Sequence, residues 1–184
     1  MFGFVGVVSR TEQDLPTFSG SSFQLEKFKF HSKFKIFPEK EDGQAFSCSD
    51  GSIVKILGLF FSASKPPKSL NSFEEIADGA FTAFAATPNE FRIYADPCGW
   101  RSVYFREEGN LLYITSNIRY LREYLGLQLE PVPERSIDFL CTSFIPGLET
   151  LTKDVFELPM GNVLEWKGQN NLTIRDYCRY DTLP

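Results

Sequence analysis

Imidazole is almost missing from this chain of 184 residues: it has one histidine, His31, with no second ligand or relay partner at a readable spacing, and a surface position is its best assignment. Cysteine is scarce as well. Cys48, Cys98, Cys141 and Cys178 are spread without a C-x-x-C pair, which fits reduced thiols in a reducing, cytoplasmic setting. No apolar run approaches the length of a membrane span and no secretory leader is recognisable, so neither membrane insertion nor secretion is expected. Positive charge is in deficit too. Nineteen basic residues against 24 acidic ones leave a net charge of −5, which argues against nucleic acid as a partner. What the chain has in quantity is phenylalanine, 19 residues, enough for an aromatic core. A single domain is expected over residues 1–184, burying roughly 70% of its unfolded surface without a disulfide staple.

Residues 79–121 organise the rest, reading as four short strands that each end in a turn signal. Residues 80–87 alternate Phe81, Ala83 and Ala85 against Phe84 and Ala86. Pro88-Asn89 breaks that run, residues 91–96 resume it, and Pro97-Cys98-Gly99 turns the chain before residues 102–105. After Glu108-Gly109-Asn110 comes a fourth apolar run, residues 111–115. Ser116-Asn117 then offers a capping oxygen to a helix with Ile118, Leu121 and Leu125 at helical spacing and Gly126 as its C-cap. Strand positions apolar or small on both faces predict one packed layer covered on both sides.

This block resembles the amino-terminal glutaminase domain of the asparagine synthetases, through Gly79, Phe81, Asp96, Gly99, Val103, Tyr104, Phe105, Ser116, Ile118 and Leu121 in the same order. A second block is more specific. Leu158-Pro159-Met160-Gly161, flanked by Phe156 and Leu164, resembles the family's T-x-x-x-x-I-x-x-L-P-P-G-x-x-L, and Tyr177-Cys178-Arg179-Tyr180 resembles the x-Y-W that follows. The resemblance implies an α+β fold, an αββα sandwich of two mainly antiparallel sheets flanked by helices, of the amino-terminal-nucleophile hydrolase type. It covers nearly the whole chain, so the family's ATP-dependent synthetase domain is expected carboxy-terminal to residue 184 or as a separate partner.

The residues that would carry glutaminase chemistry are replaced. Met1-Phe2-Gly3-Phe4-Val5-Gly6 resembles the family's opening Met-Cys-Gly-Ile-x-Gly, whose cysteine becomes the terminal nucleophile with its own α-amino group as base. Phe2 stands at that position, and a phenyl ring has no lone pair to attack a carboxamide. Residues 44–49, Asp50-Gly51 and residues 52–61 form the clearest hairpin. Its second arm aligns with Asn-Gly-Glu-Ile-Tyr-Asn, where the asparagine side chain and the glycine amide make the oxyanion hole. Here the three leading positions are Leu57, Gly58 and Leu59. The arginine of Arg-Gly-Pro-Asp and the aspartate that holds the α-amino group have no counterpart. We expect a pocket filled by Phe2, Leu57 and Leu59, no catalytic residue, no cofactor and no metal in this chain.

Other stretches carry weaker signals. Ser19-Gly20-Ser21-Ser22 lacks the second glycine and the Asp-Ser of a phosphate loop, and a hydroxyl-rich turn is expected. Residues 27–36 alternate Phe28, Phe30, Phe34 and Ile36 with Lys27, Lys29, His31, Lys33 and Lys35, as one long strand or two meeting near His31-Ser32. The lysines form either an anion or partner face or, as we prefer, a solvated sheet face. Ser72 is expected to cap a short helix over residues 72–76, and a helix opening at Pro133 or Glu134 carries Ile137, Leu140, Cys141 and Phe144 on one stripe.

These readings converge on a non-catalytic glutaminase-like domain that packs against an amide-forming synthetase domain, in the same polypeptide or as a separate chain. Relatives without the cysteine, the β-lactam synthetases and lasso-peptide cyclases, take the amine from the substrate. ATP and magnesium would belong to the synthetase domain alone. The alternative is a free-standing protein- or anion-binding module using the basic strand face. A working enzyme with Cys48 or Cys98 as a new nucleophile has no histidine or acidic partner evident beside either thiol. No nucleic acid or membrane is expected, and homo-oligomerisation stays open.

Overall fold

A computed structural model describes residues 3–11, 15, 22–23, 30–37, 44–61 and 67–178. Two six-stranded antiparallel sheets face each other. The first runs β10 (Phe156–Leu158), β8 (Val103–Glu108), β9 (Leu111–Thr115), β1 (Gly3–Ser9), β3 (His31–Phe37) and β2 (Ser22–Phe23). The second runs β12 (Leu172–Asp176), β11 (Asn162–Trp166), β7 (Phe91–Ala95), β6 (Gly79–Ala86), β5 (Ile53–Phe60) and β4 (Gln44–Ser47). With helices α1 (Leu70–Ile76) and α2 (Ile118–Leu125) on the outer faces, this is the α+β sandwich that the sequence led us to expect.

Apolar side chains fill three levels, because period-two alternation sends each strand's residues to opposite faces. Between the sheets lie Phe4, Val8, Phe34, Leu57, Phe84, Phe91, Ile93, Leu112, Ile114 and Trp166. Phe4 meets Phe84 edge-on at 5.2 Å between centroids, so the two sheets interlock through aromatic rings. Beneath α1, Phe73 packs at 5.1 Å from Tyr94 and 6.2 Å from Phe81. Beneath α2, Leu121 covers Val5, Val7 and Tyr113.

Two expectations need correction. The run over residues 79–121 is not one layer: β6 and β7 belong to one sheet, β8 and β9 to the other. Alternation cannot tell a hairpin from a crossover, and here the turn after β7 carries the chain across the core. The cap of α1 is Ser69, whose Oγ accepts from the Ser72 N–H (3.2 Å) while Ser72 Oγ accepts from the Ser69 N–H (2.9 Å). The helix expected from Pro133 is present as α3 (Pro133–Thr142); none of its residues is buried, and Leu140 is 80% exposed. Helical spacing shows that a stripe exists; what covers it is a tertiary matter.

Candidate functional site

The start of β1 and the second arm of the 44–61 hairpin come together between the sheets, Phe4 and Leu57 sharing one apolar cluster. The β1 end is held firmly. The Phe4 N–H donates to Ser116 Oγ (2.8 Å), and the Phe4 carbonyl accepts from Thr115 Oγ1 (2.9 Å) and from the Ser116 N–H (3.0 Å). Ser116 therefore fastens the first strand, and Asn117 is the residue that caps α2, through the Arg119 N–H. Phe2 lies outside the described residues.

Leu57 is 2% exposed and pairs across the ladder with Thr82. Gly58 has φ +112°, a conformation that favours glycine, and any Cβ there would collide with the Ala80 carbonyl. That Cβ would also lie 2.9 Å from Arg101 Nε, so the guanidinium sits directly over Gly58. Leu59 corrects the expectation of a filled pocket. It is 64% exposed and, with Phe61, Trp100 and Cys98, lines an open groove of about 230 Å³ beside Asp78, Gly79 and Ala80. Alternation along β5 turns Leu57 and Leu59 to the same face, but only Leu57 joins the cluster between the sheets.

Arg101 and Trp100 reach this place because of Asp96. Its buried carboxylate accepts from the Cys98 and Trp100 N–H groups at Oδ1 and from the Arg101 N–H at Oδ2, each at 3.0 Å. The Asp-x-x-Gly of the sequence is thus a turn whose backbone donors are gathered on one carboxylate. Its signal was legible as a turn, whereas Arg101 and Trp100 were not singled out because a turn residue's direction depends on the sheets around it.

Leu57 offers no donor from its side chain. Cys48 is buried, and burial foremost raises its thiol pKa, with a hydrogen bond to Ser52 opposing and the Asp50 charge adding, so it is poorly suited as a thiolate nucleophile. Among the described residues, no group of three or more histidine, cysteine, aspartate or glutamate side chains could hold a metal ion.

The lysine face is only partly described, since Lys27 and Lys29 lie outside it. Lys33 and Lys35 pair with Val7 and Val5, so they point to the side that α2 covers. The Lys35 ammonium lies 4.9 Å from the Tyr124 ring centroid and 5.6 Å from that of Phe37, which engages it in cation–π contacts. His31 is half-exposed at the start of β3.

Beneath α1 lies a charge network that sequence reading missed. Glu74 accepts from Arg92 Nη1 (3.2 Å), Arg175 Nη2 (2.7 Å) and Tyr94 Oη (3.0 Å), and Arg92 and Arg175 also reach Glu165. Opposite charges from four elements meet there, tying α1 to the sheet below it. No helix among the described residues is long and apolar enough to cross a membrane.

No protein-family model matches the chain, and no curated protein matches it. Among solved structures it is similar to glutamine phosphoribosylpyrophosphate amidotransferase from B. subtilis complexed with ADP and GMP, at 13% identity and a TM-score of 0.47. A second, described as the allosteric regulatory enzyme of purine biosynthesis, has 10% identity and a TM-score of 0.44. Each alignment covers 95% of this chain and 43% of the solved one, so the chain spans less than half the length of either.

Proposed function

We propose that this chain is a glutaminase-like domain without glutaminase activity, serving as the structural partner of an ATP-dependent amide-forming domain related to asparagine synthetase. The observation that carries the reading is Leu57, buried beside Phe4 between the sheets at the position aligned with the oxyanion asparagine. Amide hydrolysis needs a donor aimed at the oxygen that becomes negative, and removing one such donor typically costs about 3 kcal/mol of transition-state stabilisation. The aligned nucleophile position, Phe2, has lost the covalent route as well. The two-sheet sandwich and the strands that join the two matching blocks support the same reading. An amide-forming reaction of the β-lactam synthetase or lasso-peptide cyclase type needs no ammonia from glutamine, because its amine comes from the substrate. ATP and magnesium are assigned to the synthetase domain.

Glutamine incubated with the purified chain should release ammonia only at the background rate. Release above that of heat-inactivated protein overturns the non-catalytic reading. Partnership is tested in the gene: a Ser-Gly-Gly-x-Asp-Ser motif downstream of Pro184, or in a protein that co-purifies, is the expected result.

A second reading, a free-standing binding module, is favoured by the uncovered apolar side chains of Leu59, Phe61 and Trp100 and those of α3. Absence of any synthetase motif in the gene or among co-purifying chains would select it.

A further inference from the structure

Cys98 lies in the turn after β7 and Cys178 just beyond β12, far apart in sequence, and neither is in a disulfide. Three hydrogen bonds bring their backbones into one unit. The Cys98 N–H donates to Asp96 Oδ1 (3.0 Å), the Gly161 N–H to the Asp96 carbonyl (3.0 Å), and the Cys178 N–H to the Gly161 carbonyl (3.2 Å). A Cβ on Gly161 would stand 3.5 Å from Cys178 Cβ, so the Cys178 side chain leaves its backbone against this same junction. Tyr177 Oη donates to the Ala95 carbonyl (2.7 Å), which fixes the neighbouring residue over the strand that leads into the turn. The thiols also feel each other electrically. Burial raises the Cys178 pKa most, and the negative forms of Cys98 and Asp78 raise it further.

We propose that Cys98 and Cys178 form an oxidisable dithiol whose disulfide clips the end of β12 to the crossover between the two sheets. Cys98 is exposed and meets the oxidant first; Cys178 is half-buried and resolves it. With hydrogen peroxide, the Cys98 sulfur takes one oxygen to become a sulfenic acid as the O–O bond breaks and the first water leaves. The Cys178 sulfur then displaces that hydroxyl, its proton leaving in a second water. Two thiols are oxidised to one S–S bond and one peroxide is reduced to two waters. A disulfide partner such as oxidised glutathione reaches the same product by thiol exchange.

The experiment is stoichiometric oxidation of the purified chain with hydrogen peroxide, followed by thiol counting in denaturant and peptide mapping without reductant. Two of the four thiols should disappear with a mass loss of two hydrogens, one peptide should link Cys98 to Cys178, and dithiothreitol should restore both. The thermal midpoint of the oxidised chain should rise. C98S, an exposed change, should keep its three thiols at the same dose. Overturning results are four surviving thiols, Cys98 oxidised to the sulfinic acid with Cys178 still alkylatable, or a link between chains through Cys141.

Discussion

The Gly161 N–H donates to the Asp96 carbonyl at 3.0 Å, and this bond joins two of the three places where the chain passes from one sheet to the other. One passage follows β7 and the other lies between β10 and β11. The Asp96 side chain collects three N–H groups of the first turn while its main chain holds the second. Replacing Asp96 with Asn leaves one acceptor oxygen and points an NH₂ at backbone donors. We expect D96N to lose about 2–4 kcal/mol of stability in urea unfolding, with an unchanged denaturant slope. A wild-type midpoint would show that this carboxylate does not hold the crossover.

Leu57 separates a filled site from an open one. L57N deletes buried hydrocarbon beside Phe4 and introduces an amide without a partner, so a loss of at least about 3 kcal/mol is expected. In a solvent-filled pocket the same change would stay within about 0.5 kcal/mol, and thermal unfolding distinguishes the two.

Alkali should unfold the protein through Tyr94. Burial first, and then the negative charge of Glu74, push its phenol pKa above the ordinary value of 10.0. A raised pKa means that the folded state holds the proton more tightly, so this contribution is complete below about pH 10 and is lost as the pH climbs beyond it. The denaturation midpoint should fall as the pH rises above about 10. Y94F should be weaker at neutral pH, having lost the bond to Glu74, yet show a shallower alkaline decline. Equal declines in both proteins would exclude Tyr94 as the group responsible.

On α3 the expected effect is small. Leu140→Glu should change the stability of the isolated chain by no more than about 0.5 kcal/mol, because Leu140 is 80% exposed. A loss of several kcal/mol, measured by urea unfolding, would mean that this face is covered in solution.

Local chemistry alone determined much of this protein. The Asp50-Gly51 hairpin, the Gly126 cap and the strand at the start of the chain follow from turn residues and two-residue alternation, which need only near neighbours. The absence of a side-chain donor at Leu57 is likewise a matter of residue type. Tertiary structure decided which strands share a sheet, that Leu57 is buried while Leu59 two residues on is open, and that Arg101 lies over Gly58. The physical reason is that alternation assigns a residue to a face without saying what that face meets. Only the packing of the first sheet against Leu57, which leaves Leu59 in an open groove, settles that.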